Sequence, residues 1–146
     1  ELAREAAERN EVPVGALIVR NGEIIAEASN RREADRSVLG HAELMAIELA
    51  SRKLKSCRLL DCTLSSTLEP CVMCAGAIVQ SRISHLVYGA TDPKGGAQAL
   101  FKVFDSEELN HRVQMTTGVL ESECSQILKD FFRARRNGSL HSLDLT

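Results

Sequence analysis

His41-Ala42-Glu43 opens one apolar-patterned segment of the chain, and Pro70-Cys71-Val72-Met73-Cys74 opens another. Leu44, Met45, Ile47, Leu49 and Ala50 recur at broadly helical spacing after His41, which predicts a helix over 42–54. Pro70 sits where a missing amide hydrogen costs nothing, so a second helix is predicted over 71–80. Two helix N-termini therefore carry a His, two Cys and an acid. Cys71 and Cys74 are spaced to lie on one helical face and grip one ion, with His41 as a third ligand from the neighbouring helix. Three protein ligands leave the fourth position of a zinc ion open, as catalytic sites require, whereas structural sites are closed by four. Zinc lowers the pKa of bound water from 15.7 to roughly 7, and the positive helix N-termini favour the thiolates that bind it. Glu43 is the acid tied to the motif and the candidate proton carrier, although two residues from His41 it would not share a regular helix face with it.

Outward from this centre the pattern predicts a short surface helix over 2–9. A hairpin follows, with strands over 14–20 and 23–29 joined at Asn21-Gly22, a strong two-residue turn signal. A polar loop over 30–40 delivers the chain to His41. Strands are predicted over 62–67, 83–88 and 113–117, a Gly-rich loop over 93–97, a short apolar segment over 100–104 and a last helix over 121–136. The fold class is therefore α/β: one layered domain over 1–146 with a mixed central sheet of about five strands, its last ten residues frayed.

Composition agrees. The chain has 146 residues, 44% hydrophobic and 26% charged, in the globular range and short enough for one core. No apolar run approaches the ~20 residues of a membrane span, and no signal peptide opens the sequence, so a cytoplasmic protein is expected. The sequence begins at Glu1 rather than Met, which leaves room for a short leader. A net charge of −2 excludes coating of nucleic acid by bulk electrostatics; any nucleic-acid contact is local. Five cysteines give no disulfide framework, and Cys57, Cys62 and Cys124, among apolar neighbours, read as buried inert thiols.

Alone, Cys-x-x-Cys fits a structural half-site, a redox pair or two buried thiols. A redox pair has no use for His41, and His85, His111 and His141 show no ligand-like spacing to close a structural site. His-x-Glu with Pro-Cys-x-x-Cys at two helix starts is the pattern of zinc deaminases that act on nucleobases. At these residues the chain resembles the cytidine deaminase superfamily, and within it the bacterial tRNA-specific adenosine deaminases. Glu11-Val-Pro-Val-Gly-Ala16, Thr67-Leu-Glu-Pro-Cys-Val-Met-Cys-Ala-Gly76, Ser81-Arg-Ile83, Asp92-Pro-Lys94-Gly95, Asn110-His111-Arg112 and Asp130-Phe-Phe-Arg133 carry the resemblance, which spans nearly the whole chain.

The resemblance implies a three-layer α/β/α deaminase fold and one zinc ion per subunit. It also implies hydrolysis of the wobble adenosine of an arginine tRNA to inosine by a homodimer that binds the anticodon stem-loop. Asn30 would bond the substrate nucleoside, Asp92, Lys94, Asn110 and His111 would contact flanking nucleotides, and Phe132 and Arg133 would lie at the substrate's edge. Without the family each is an ordinary loop or helix residue, and at least one of Phe131 and Phe132 belongs in the core. Gln98-Ala99-Leu100 and Ser37-Val38-Leu39-Gly40 depart from the family pattern beside the pocket. Two rivals stand beside this reading: a deaminase of guanine, cytosine or cytidine, and a noncatalytic zinc subunit that presents tRNA. Retention of Glu43 speaks against the second.

Overall fold

The computed structural model describes residues 1–138; of the tail expected to fray over 137–146, residues 139–146 lie outside the described residues. Elements follow in the order α1 (Leu2–Glu8), β1 (Gly15–Arg20), β2 (Glu23–Ser29), α2 (Ala42–Leu54), β3 (Cys62–Leu68), α3 (Val72–Gln80), β4 (His85–Ala90), α4 (Ala97–Phe101), a 3-10 turn (Val103–Asp105), β5 (Gln114–Thr117) and α5 (Glu121–Arg136). One five-stranded sheet has the order β2-β1-β3-β4-β5. It is mixed, as expected. β1 pairs antiparallel with β2 and β3, while β3, β4 and β5 run parallel.

The hairpin forms where Asn21 and Gly22 both take positive φ, 51° and 75°, the backbone a two-residue turn between twisted strands demands. Helices α2 and α3 touch each other, and α2 packs on β1 and β2, while α1 and α5 meet each other and contact β1–β2 and β3–β4 respectively. Ala42, Ala46 and Ala50, four residues apart, are the wholly buried alanines of α2, and they share a cluster with Ala16, Ala26 and Ala28 of the hairpin. Small residues on both elements let the helix lie close to the sheet, which brings its N-terminus to the strand ends. Ile18, Leu64, Ile78 and Leu86 are among the larger members of the cluster, at no measurable exposure.

Three details differ from the sequence expectation: helix α4 and the 3-10 turn form where a Gly-rich loop over 93–97 and a short apolar segment over 100–104 were expected, and the other two concern β4 and Cys57. The fourth strand begins at His85 rather than Ile83, because Arg82 adopts φ 62° and Ile83 N–H still bonds Ile78 O, closing α3 before the chain can extend. Cys57 is exposed, not buried. It follows the left-handed C-cap of α2 at Lys55 and lies in the polar run Lys55-Ser56-Cys57-Arg58, so no apolar face holds it. Cys62 is buried as expected and burial pushes its thiol up; Cys124 is half-buried. No helix among the described residues is long and apolar enough to cross a membrane.

Ile18 sits at the centre of this packing, so Ile18→Ala should lower the unfolding free energy by about 2–5 kcal/mol in a urea titration. A loss below ~1 kcal/mol would show that the strand is not held by this cluster.

Candidate metal centre and active site

The carboxyl ends of β3 and β4 and the N-termini of α2 and α3 surround a pocket of about 270 Å³. Such a crevice at the ends of parallel strands is where α/β sheets place ligands. His41 is the N-cap of α2, with extended backbone (φ −80°, ψ 140°), and Cys71 is the N-cap of α3, also extended (φ −73°, ψ 174°). Because His41 stands outside the helix, the helical-face objection to Glu43 falls away: the cap residue turns back toward its own first turn.

His41 Nδ1 lies 3.6 Å from Cys71 Sγ and 3.5 Å from Cys74 Sγ. A tetrahedral ion with Zn–S near 2.3 Å and Zn–N near 2.0–2.1 Å sets nitrogen and sulfur roughly 3.6 Å apart, so these three atoms stand at the edge lengths zinc requires. Among the described residues they are the one such cluster of metal-binding side chains, with ligand atoms within 4.8 Å of one another. Their proton chemistry points the same way. The hydrogen bond from Cys74 chiefly, with His41 beside it, pulls the Cys71 thiol down to about 4. Cys74 is pushed up, first because its S–H is held by Cys71 and then by burial and by the nearby Glu43 charge. Its bond to Cys71, chiefly, and the charges of Cys71 and Glu43 raise His41 against its own burial. Two thiols and a carboxylate packed together favour a cation, and a divalent ion held by both thiolates would supply it.

Glu43 is only 4% exposed, and burial raises its pKa above the ordinary carboxylate range. Ser66 Oγ donates to its Oε1 at 3.1 Å, and Cys74 Sγ donates to Oε2 at 3.5 Å. Oε1 is thereby anchored and Oε2 faces the ligand cluster.

The other predicted site residues divide. Asn30 and Asp92 line the pocket. Asn30 is buried, its Nδ2 donating to Val12 O and its Oδ1 accepting from Arg32 N–H, which leaves one hydrogen and one lone pair for a ligand. Asp92 Oδ1 accepts from Lys94 and Gly95 N–H, so this residue both opens a turn and lines the pocket. Lys94, exposed, lies just outside. Phe132 and Arg133 lie on α5 beyond the pocket lining: Phe131 is buried, Phe132 is 39% exposed and edge-on to it, and Arg133 pairs with Asp130 at 3.6 Å. Asn110 accepts from Arg82 and the His111 ring bonds Ile83 O at 2.7 Å. Both therefore sit at the start of β4, opposite the pocket and roughly a strand length of 17 Å away within one chain.

Asn10, Glu11, Arg32, Glu33 and Glu69 are polar pocket residues that the sequence did not single out as site groups, whereas Arg135 is part of the basic stretch on the last helix expected to meet phosphates. Glu11 and Glu69 are acids in otherwise apolar motifs, a signal that was visible. Arg135 belongs to the basic end of α5, whose individual faces only the packing of Phe131 resolves.

The chain is similar in sequence and fold to known proteins. The family model described as MafB19-like deaminase matches residues 1–136. The tRNA-specific adenosine deaminase of Bacillus subtilis is 48% identical over 135 residues, covering 92% of this chain and 84% of that protein. That of Haemophilus influenzae is 46% identical over 138 residues, covering 93% and 80%. A solved structure from studies of A-to-I editing by tRNA:A34 deaminases superposes with a TM-score of 0.84 at 43% identity, covering 87% of this chain and 93% of that one. A guanine deaminase from Nitrosomonas europaea superposes at 0.73 with 27% identity, covering 89% and 78%. With its His-Cys-Cys cluster and buried glutamate at the ends of a five-stranded mixed sheet, the chain belongs to the MafB19-like deaminases, in the family of the tRNA-specific adenosine deaminases.

Proposed function

We propose that this protein hydrolyses the wobble adenosine of tRNA, an arginine tRNA in the first instance, to inosine and ammonia. The observation that carries the reading is Glu43, buried against Ser66 with Oε2 turned to the His41-Cys71-Cys74 cluster. A zinc ion held by those three residues supplies a Lewis acid that makes water a nucleophile at neutral pH. The chain's own residues do the rest. Oε2 of Glu43 takes the proton of the water whose oxygen bonds C6 of the base and delivers it to the ring nitrogen N1. A second proton then passes through the same atom to the amine as the C6–N6 bond breaks. Burial suits Glu43 to this traffic, since a carboxyl that gives up its proton less readily holds it between steps. Asn30, fixed by its two backbone bonds, offers its remaining donor and acceptor to the nucleoside. The overall positive run on α5, Lys129 to Arg136, meets the phosphates, with Arg135 at the pocket.

The homodimer belongs to the same proposal. Asn110 and His111 lie at the far end of the sheet from their own pocket, so a role for them at the anticodon calls for a second copy. Val72 and Leu49, on the touching helices α3 and α2, are each about half exposed and give that copy an apolar surface. The zinc-loaded protein should sediment at twice 16.0 kDa at micromolar concentration; a monomer would remove Asn110 and His111 from the site.

The central assay is inosine formation in an arginine-tRNA anticodon stem-loop, with guanine, cytosine and cytidine alongside. The protein should convert the stem-loop, and Glu43→Ala should lose at least about 10²–10⁴-fold in rate. Ammonia from a small base alone would shift the substrate to the class of the guanine deaminases, and no turnover of any substrate would favour a noncatalytic subunit. Replacing Arg133, Arg135 and Arg136 by Ala should weaken stem-loop binding and reduce the slope of log K against log salt by roughly 0.7 for each phosphate no longer neutralised. An unchanged slope would place the phosphates elsewhere.

A further inference from the structure

Glu69 lines the pocket beside the metal ligands, is 3% exposed, and has no part in the proton transfers above. Its Oε1 accepts from Asp92 N–H at 3.2 Å, and its Oε2 accepts from Gln98 N–H at 3.1 Å and Ala99 N–H at 2.9 Å. No ion pair among the described residues includes it. A buried carboxylate without a cation is tolerated only when backbone donors hold its charge, so all three bonds matter. The approach is close enough to require glycine next to it: a Cβ at Gly96 would collide with Oε2. The same segment is sewn down twice more, by a bridge between Cys71 and Gly96 and by Ala97 N–H donating to Pro70 O at 2.9 Å.

We propose that Glu69 is a positioning residue: its carboxylate clamps the Asp92–Ala99 segment, whose Asp92 lines the pocket, to the strand end that delivers Cys71, and so sets the position of a substrate held against that wall. A simple helix-capping role accounts for less. The cap of a short helix such as α4 is ordinarily supplied by Ser, Thr, Asn or Asp at the N-cap itself, which here is Gly96. The acid comes instead from β3's end, two residues before a metal ligand, and one of its three bonds goes to Asp92, outside the helix. Asp92 in turn holds Lys94 and Gly95, so the bonds run without a break from the Cys71 segment to the pocket's outer lip. The wall and the ligand move as one body. The inference rests on reading the pocket as a deaminase site, and it deepens that reading by naming what sets the position of the substrate.

Glu69→Gln keeps the shape but turns an amide group toward one of the N–H donors it must accept. Zinc content and thermal midpoint should stay near those of the unmutated protein. Amide hydrogen exchange should quicken about tenfold or more at the Asp92, Gln98 and Ala99 amides, and KM for the stem-loop should rise about tenfold with kcat changed less than about threefold. Glu69→Asp, which keeps the charge, should recover part of the KM. Unchanged exchange, or an unchanged KM in a zinc-loaded variant with loosened amides, overturns the inference. A parallel loss of zinc and kcat would reduce Glu69 to a structural support and overturns it equally. Failure of the tRNA reading shows in the unmutated protein, as absent inosine; the clamp is then decided by the exchange rates alone.

Discussion

Everything in this molecule is arranged around the approach of one imidazole nitrogen to two sulfurs. His41 Nδ1 stands 3.6 and 3.5 Å from Cys71 and Cys74, atoms that belong to two different helices. Chain entropy opposes such a meeting, and burial of thiols beside a carboxylate opposes it further. The fold supplies the meeting through packing: an alanine stripe lowers α2 onto a hairpin lined with alanines, and α3 returns the chain from β3 to its parallel neighbour β4. A metal ion held by these three residues would supply the compensating charge. Binding energy at such a site is also folding energy, because the unfolded chain does not present it.

The same economy explains the acids. Glu43, Glu11 and Glu69 are almost wholly buried, yet each answers to different partners. Glu43 faces the ligands, with one oxygen fixed by Ser66 and the other turned toward the reacting centre. Glu11 accepts from Glu33 and Ala34 N–H and so ties down the loop that leads from Asn30 toward His41. Glu69 does the same for the opposite wall. Under the proposed mechanism proton transfer falls to Glu43, whose Oε2 is turned to the ligand cluster, while Glu11 and Glu69 spend their oxygens on backbone N–H groups around the pocket.

Much of this was legible in the residues alone. Periodicity placed the five strands and the helices α1, α2, α3 and α5 within two residues, since apolar alternation and turn chemistry act locally, and the Asn21-Gly22 hairpin stands where its φ preferences demand; the short α4 was not foreseen. The ligand triad was legible because zinc chemistry restricts residue types and spacing together. Glu43 was named from the sequence, but its approach to the ligands needed the structure, because the extended N-cap at His41 changes the geometry that a continuous helix would impose. Long-range placement was the least legible. Asn110 and His111 have the right chemistry for RNA, but their partners Arg82 and Ile83, far away in sequence, fix them at the opposite end of the sheet. Cys57 misled because, of its apolar neighbours, Leu59 is buried while Leu60 is exposed like Cys57 itself.

X-ray absorption at the zinc edge of the purified protein tests the central claim most directly. Two sulfurs at about 2.3 Å and two nitrogen or oxygen atoms at about 2.0–2.1 Å are predicted, one of the light atoms exchangeable with solvent. Four protein ligands, three or more of them sulfur, would make the site structural and contradict the account.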